Sequence, residues 1–222
     1  MSVVDAGLRI DHVVIGVHDL DAAAAAFEVR YGLAAIAGGR HPQWGTANRL
    51  VPLGATYLEL VTVIDRAQAA VSAFGQWVSV MLDGGATFGW AVRTDDLDGI
   101  ATRLGLEVVE GSRQSGEGTR LRWMTAGVSQ AAAEPGLPFF IQWDLGTPLP
   151  GQAAVQHRAG VVELTRLGID GDADRIHAWL RTNTLPLNIR PGTRGLTSVS
   201  LATPRGPIVV GSFGSGESFP AD

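Results

Sequence analysis

The sequence predicts an α+β protein built from repeated βαβββ modules. A strand ending near an aspartate and then a helix occur in this order three times, and a glycine stop follows the helix in the first two. The aspartates at the helix starts, Asp19, Asp96 and Asp172, lie 77 and then 76 residues apart. A fixed period carrying the same order of elements indicates internal duplication. Three unrelated αβ units that share capping aspartates are the alternative interpretation.

The first module is predicted at residues 8–65. Segment 10–17 alternates as a strand, with His12 on one face and Val13 and Ile15 on the aliphatic face. After Asp19 the spacing of apolar residues becomes helical, and Gly32 stands where a C-terminal cap is expected. Three further strands are predicted at 34–37, 46–53 and 55–64, with the loop 40–45 after the first of them.

A helical connector is predicted at 66–86, packed on the outside of the molecule. The second module, 87–146, repeats the order of the first, with the segment 111–118 as a polar loop. A third, shortened copy is predicted at 157–213. It ends in a hairpin that turns at Pro204, Arg205 and Gly206.

Composition excludes several classes of function. The chain has 222 residues, a net charge of −5 and no basic run, so nucleic-acid binding is not expected. It contains neither cysteine nor lysine, which excludes disulfides, thiolate metal sites, Schiff-base catalysis and a Walker phosphate loop. No apolar run approaches membrane-spanning length, and the N-terminus does not resemble a signal peptide. We therefore expect a cytoplasmic protein without a membrane partner.

Four segments carry a resemblance to a known family. They are IDHVVIGVHDLDAAAAAF, GGRHPQWGTANRLVPLGATYLELV, WAVRTDDLD and LPFFIQW. Together with the repeated modules, they resemble the vicinal oxygen chelate superfamily, which includes glyoxalase I, extradiol dioxygenases and bleomycin-resistance proteins. The match is closer to its glyoxalase-like domain family and covers residues 10–145 well. The resemblance implies curved mixed sheets, formed by paired modules, around a pocket.

The resemblance also implies a metal site. In metal-using members, the first and last strands of two modules supply four ligands, and the ion acts as a Lewis acid on two substrate oxygens. Transferring these positions gives His12 and Glu59 in the first module. In the second module Gly89 replaces the histidine, and Gln142, or Ile141 one residue away, stands at the carboxylate position.

In the third copy, Thr165 occupies the histidine position. The expected ligand set is therefore His12, Glu59 and Gln142, with only one anionic member. The expected cofactor is one divalent ion (Zn, Fe, Mn, Ni or Mg), with no organic cofactor. His12 and Glu59 also qualify without the resemblance, since each is a polar residue on a strand whose opposite face is aliphatic.

A second group of candidate residues is expected to bind substrate. His41, Trp44, Asn48 and Arg49 offer a stacking surface, an amide and a guanidinium beside the pocket mouth. Arginine binds carboxylate or phosphate through two parallel hydrogen bonds, so Arg49 favours an acidic ligand. An ordinary turn with Trp44 covering a sheet edge is the structural alternative. Trp90 is a further candidate for substrate binding, although a core position also explains it.

Two functions follow from the sequence. The first is a glyoxalase-like lyase, isomerase or dioxygenase that acts on a small oxygenated compound, with His12 and Glu59 as catalytic and metal-binding residues. The alternative is a metal-free protein that sequesters a small aromatic or acidic ligand, as bleomycin-resistance relatives do. A module used mainly in protein association is a third, weaker hypothesis. The third copy either completes a barrel within one chain or caps a homodimer.

Overall fold

A computed structural model of the chain describes residues 7–84, 88–114, 118, 120–182 and 184–211. The fold is α+β, with a strongly curved mixed sheet, as the sequence predicts. The predicted module boundaries near 86–87 and at 213 lie outside the described residues, so the domain division stays a prediction. Within the described ranges, every helix is too short or too polar to cross a bilayer.

The helices and strands follow the predicted order, with additions. The first module comprises β1 (Arg9–Gly16), α1 (Leu20–Tyr31), β2 (Ile36–His41), β3 (Thr46–Pro52) and β4 (Tyr57–Val63). The connector forms two helices, α2 (Arg66–Ala69) and α3 (Ala73–Leu82). The second module comprises β5 (Phe88–Arg93), α4 (Leu97–Leu104), β6 (Val108–Gln114), β7 (Arg120–Ala126), α5 (Val128–Ala133) and β8 (Phe139–Trp143). The last segment comprises β9 (Glu163–Asp170), α6 (Ala173–Leu180), β10 (Leu187–Arg190), β11 (Gly195–Ala202) and β12 (Ile208–Gly211).

The three repeated aspartates cap the three helices that begin after them. The Asp19 carboxylate accepts hydrogen bonds from the backbone N–H groups of Asp21 and Ala22. Asp96 and Asp172 do the same at the starts of α4 and α6. These bonds satisfy N–H groups that have no partner inside a helix, which explains why aspartate recurs at these positions.

The first two modules share one eight-stranded sheet. Its strand order is β2-β3-β4-β1-β5-β8-β7-β6, and β1 pairs with β5 in antiparallel orientation at the centre. The sheet curves until its two edge strands, β2 and β6, meet. In the described residues no strand ladder joins these edges. Side-chain bonds cross the gap, from Arg113 to the Gly38 carbonyl at 3.0 Å and from Gln43 to the Ser112 carbonyl at 3.1 Å.

The last segment has the predicted order of elements but a different pairing. In the first module β1 lies parallel to β4, the final strand. In the last segment β9 lies parallel to β10 and antiparallel to β11, so the strand order is β10-β9-β11-β12. The last segment thus keeps the predicted order of elements but pairs its strands differently from the first module, and its assignment as a third copy stays a prediction. This segment packs on the convex face of the large sheet, where Trp179 lies against Phe140.

A β-bulge changes the predicted alternation of β1. The pairing with β5 shifts register between Ile10 and His12, which leaves Asp11 as the extra residue. Ile10 consequently joins the aliphatic core with Val13, whereas simple alternation groups it with His12. The carboxylate of Asp11 hydrogen-bonds His12, so the two adjacent side chains lie together.

The connector packs inside the curved sheet, and the prediction of an outside position is wrong. Phe74, Trp77 and Met81 of α3 are buried against the concave face. A Cβ atom at Gly89 would overlap the six-membered ring of Trp77, so that position must be glycine.

The residues expected to form a loop at 111–114 belong to β6, and α5 is an element that the sequence did not predict.

We expect Gly89→Ala to lower the free energy of unfolding by about 1–3 kcal/mol, because the added methyl group overpacks against Trp77. Urea unfolding measures this loss. In a Trp77→Leu background the same change should cost less, since the smaller side chain leaves room for the methyl group. Gly211→Ala is the matched control, because Gly211 lies in a strand and no described residue comes within 4 Å of a Cβ atom added there. Equal losses at both glycines would contradict the packing explanation.

Candidate active site

The concave face of the large sheet encloses a cavity of about 410 Å³. It lies between strands of both modules and the α2–α3 junction. The lining is mainly apolar and aromatic, with Trp44, Phe74, Trp123, Phe139 and Trp143 contributing rings. Cavities of this size and character are the usual binding sites for small organic molecules.

A carboxylate and an imidazole form the central pair of the site. His12 is 3% exposed, and its Nδ1 lies 2.7 Å from Asp11 Oδ1. The other oxygen, Asp11 Oδ2, accepts a hydrogen bond from Trp143 Nε1 at 3.0 Å and lies 3.7 Å from Arg93. A carboxylate at Nδ1 favours the proton on that nitrogen, which leaves Nε2 as the basic atom. Asp11 thus orients His12 with its reactive nitrogen toward Glu59.

Glu59 completes the polar centre from the neighbouring strand β4. Its Oε2 lies 3.5 Å from His12 Nε2, and its Oε1 accepts a hydrogen bond from Asn48 Nδ2 at 2.5 Å. Asn48 is itself oriented, since its Oδ1 accepts the Gly39 N–H at 2.8 Å. The His12–Glu59 distance is longer than a strong hydrogen bond, so a ligand atom can compete for either group. His12 and Glu59, which lie 47 positions apart in the sequence, therefore meet in one cavity, as predicted.

Tyr57 and Phe139 enclose the imidazole. The Tyr57 ring stacks on His12 with 4.6 Å between centroids, and Phe139 meets His12 edge-on at 5.5 Å. Burial, reinforced by the carboxylates of Asp11 and Glu59, raises the pKa of Tyr57 well above its usual value. Tyr57 is therefore a neutral phenol at the cavity wall.

His41 and Arg113 provide two further polar groups in the cavity wall. His41 Nδ1 lies 3.0 Å from Thr46 Oγ1, and burial lowers the pKa of His41 to about 4 despite the opposing effect of Glu59. Desolvation also lowers the pKa of Arg113, which is 7% exposed and interacts with Glu59. A neutral imidazole and a buried guanidinium thus line the cavity that contains His12 and Glu59.

Three of the predicted site residues lie elsewhere, and those assignments are corrected. Arg49 points away from the cavity and pairs with Asp21 on α1, because alternation along β3 places only Asn48 inside. Trp90 is fully buried on the convex side, where Nε1 donates to the Gly136 carbonyl. The Gln142 side-chain oxygen accepts the Leu97 N–H at the start of α4. The predicted substrate-binding residues His41, Trp44 and Asn48 do line the cavity, and their roles stay predictions.

The donor set does not fit the four-ligand metal site that the resemblance implies. Trp77 covers Gly89 at the second histidine position. The second carboxylate position is occupied by Phe139 and not by the predicted Gln142. In the first module Val14 pairs with Glu59. Its equivalent in the second module, Ala91, lies 77 residues later and pairs with Phe139, so Phe139 corresponds to Glu59. Within the described part of the chain, no group of three or more His, Asp or Glu residues could hold a metal ion.

The Thr165 side chain also lies outside the site. It is exposed on β9, and its hydroxyl donates to the Ser200 carbonyl within the last segment. This segment contributes no residue to the cavity among those described.

The sequence did not single out three residues of the site. Asp11 enters the site through the bulge, and no local pattern indicates a bulge. Arg113 lies in a segment predicted as a loop. Its position two residues after Gly111 would place both residues on the same face of a strand, and this is only a weak indication of a cavity position. Tyr57 shares a strand face with Glu59, and this alternation was a usable signal for a cavity position.

The burial of His41 predicts a pH-dependent stability. The unfolded chain binds a proton at His41 below about pH 6.5, whereas the folded chain does so only near pH 4. Stability should therefore fall as pH decreases between these values, by about 1.4 kcal/mol per pH unit from this residue. His41→Gln should flatten that slope in urea unfolding at pH 6.5, 5.5 and 4.5. The control is His18→Gln, which removes an exposed imidazole. An unchanged slope in His41→Gln would contradict the assignment.

Comparison with solved structures identifies several proteins to which this chain is similar. A hypothetical protein from Staphylococcus aureus matches with a TM-score of 0.58 and 16% identity, covering 91% of this chain and 84% of that one. A methylmalonyl-CoA epimerase from Mycobacterium tuberculosis matches with a TM-score of 0.41 and 22% identity, over 60% of this chain and 85% of that one. A Streptomyces coelicolor methylmalonyl-CoA epimerase in complex with 2-nitronate-propionyl-CoA matches with a TM-score of 0.44 and 22% identity, over 64% and 98%. A search of curated proteins gave no match.

The comparison with family models covers most of the chain. The model of the glyoxalase-like domain matches residues 10–184, which include both modules of the large sheet. This match confirms the resemblance carried by the two sequence modules. The chain belongs to the glyoxalase-like domain family.

Proposed function

We propose that the chain is a metal-independent enzyme that moves a proton on a small, planar, oxygenated substrate. The observation that carries the proposal is the chain of contacts Asp11–His12–Glu59 at an aromatic cavity. An imidazole oriented by one carboxylate and facing a second is suited to general acid–base catalysis, because both groups can hold and move a proton within reach of a ligand. The reaction class that fits it is an isomerisation through proton abstraction next to a carbonyl group.

In this mechanism His12 Nε2 is the base. It takes a proton from the substrate carbon, and the electron pair of the broken C–H bond moves into an enolate. Asp11 stabilises the resulting imidazolium through Nδ1. Glu59, held by Asn48, receives this proton from His12 Nε2 and delivers it to a second position of the substrate, so both groups return to their starting states. The substrate leaves with its atoms rearranged and without a net change in protons.

Two other groups suit the developing negative charge. Arg113 supplies a buried positive charge and His41 a neutral N–H donor in the same cavity. Buried donors of this kind stabilise an enolate oxygen more strongly than water does, because they are already oriented when the charge appears. Arg113 thus takes the anion-binding role that the sequence assigned to Arg49.

The lining favours an aromatic or otherwise planar substrate. Trp44, Trp123 and Trp143 form one wall of the cavity, with ring-centroid distances of 5.7 and 5.3 Å along the series. Val71, 76% exposed, and Val109, 42% exposed, add apolar surface at the rim beside the exposed side chains of Glu107 and Glu110.

A binding protein without turnover is the second candidate. The same aromatic wall supports it, since stacked rings bind planar ligands without any chemistry. Titration with planar carbonyl compounds would then quench tryptophan fluorescence, and the ligand would be recovered unchanged with no exchange of its protons.

We expect the wild-type protein to catalyse exchange of α-protons in D₂O for at least one class in a panel of aryl ketones, α-hydroxyketones and keto acids. Proton NMR measures the exchange. His12→Gln should lower the rate by about 10²-fold or more, because it removes the base. Asp11→Asn should lower the rate and move its pH dependence, since the asparagine cannot stabilise the imidazolium. His18→Gln is the control. Exchange that survives in His12→Gln would overturn the proposal.

Divalent ions should not stabilise the protein specifically. With Mg, Mn, Fe, Co, Ni or Zn, the expected change in Tm is below about 1 °C, because a two-donor site holds an ion weakly. Dialysis against EDTA should leave proton exchange unchanged. A rise in Tm that disappears in both His12→Gln and Glu59→Gln would instead support a metal-dependent enzyme.

A further inference from the structure

We propose that the seam between β2 and β6 binds the phosphate group of a small molecule. A second cavity, the seam groove, lies along the outside of this seam with a volume of about 650 Å³. Its polar lining consists of Arg40, Gln43, Ser112, Arg113, Gln114 and Arg120. This site is separate from the proton-transfer groups, and the proposal does not depend on the reaction proposed above.

The charges around the seam groove favour an anion. Arg40 comes from β2, Arg113 from β6 and Arg120 from β7, so three strands bring guanidinium groups to one groove. Among the described residues that line it, none is an aspartate or a glutamate. The chain as a whole carries a net charge of −5. A local excess of arginine is therefore not a consequence of a basic protein.

Neutral donors add to the arginines. Gln43, Ser112 and Gln114 carry side-chain N–H or O–H groups along the same groove. The Arg120 guanidinium donates to Ser112 Oγ at 3.2 Å, so the side chain is already turned toward the groove. Arginine forks with neutral donors between them match the oxygens of a phosphate group.

Arg113 connects the seam groove to the catalytic cavity. The same side chain lines both, and its bond to the Gly38 carbonyl crosses the seam. A phosphate in the groove attracts the guanidinium toward the outside, and an anionic ligand atom in the cavity attracts it inward. Occupancy of one site should thus change affinity at the other.

A neighbouring groove provides the comparison. It is lined by Arg120 and Arg122, but also by Glu110 and Asp144. Arg122 is exposed on the same strand as Arg120 and does not line the seam groove. A carboxylate beside an arginine competes with an external anion, so we expect phosphate to prefer the seam.

The test is titration of the full chain with inorganic phosphate and with phenyl phosphate at constant ionic strength, by calorimetry and by thermal shift. We expect saturable binding of both at one site. Arg40→Gln and Arg120→Gln should each weaken it by about tenfold, because each removes a charged hydrogen bond. Both arginines are exposed, so neither change should affect folding. Arg122→Gln is the matched control and should bind as the wild type does.

Phenyl phosphate also distinguishes two kinds of ligand. If it quenches tryptophan emission and inorganic phosphate does not, one molecule spans the groove and the cavity. If neither quenches it, the groove binds a separate phosphate compound. Either result supports the site, provided that the arginine variants weaken binding. Absence of saturable binding, or an equal loss in Arg122→Gln, would overturn the proposal.

Discussion

The bulge in β1 is the constraint on which the site depends. It places Asp11 and His12, adjacent in sequence, in hydrogen-bond contact, and β1 is one of the two central strands of the large sheet. Trp143 from β8 and Arg93 from β5 both reach Asp11, so the carboxylate ties the second module to the first module's imidazole. A buried carboxylate is stable only with such partners. The requirement to satisfy Asp11 therefore also fixes the orientation of His12.

The two modules have diverged within a symmetric frame. Equivalent positions hold His12 and Glu59 in the first module, but Gly89 and Phe139 in the second. The second module uses these positions for packing, since Trp77 lies over Gly89 and contacts Phe139 edge-on at 5.9 Å. As a result, the first module contributes His12 and Glu59 to the cavity, whereas the equivalent positions of the second module pack against α3. This asymmetry favours acid–base chemistry over metal chelation.

Closure of the sheet is incomplete, and this has chemical consequences. Edge strands that do not pair leave polar groups available. In this chain Arg113 and Gln43 bridge the edges through their side chains, which can exchange partners more easily than a backbone ladder can. Arg113 thereby belongs to the wall of the cavity that contains His12 and Glu59 and to the groove outside it. The seam is both a structural contact and a place where charge is concentrated.

The sequence by itself determined the features that depend on neighbours along the chain. The order of elements in both modules, the aspartate caps at Asp19 and Asp96, and the placement of His12 and Glu59 on paired strands all follow from short-range periodicity and capping chemistry. Tertiary structure alone decided which guanidinium enters the cavity, that Gln142 caps α4, and that β10 pairs beside β9. These choices rest on strand register and bulges. A shift of one residue reverses the face of every side chain, and its cost arises from partners distant in sequence.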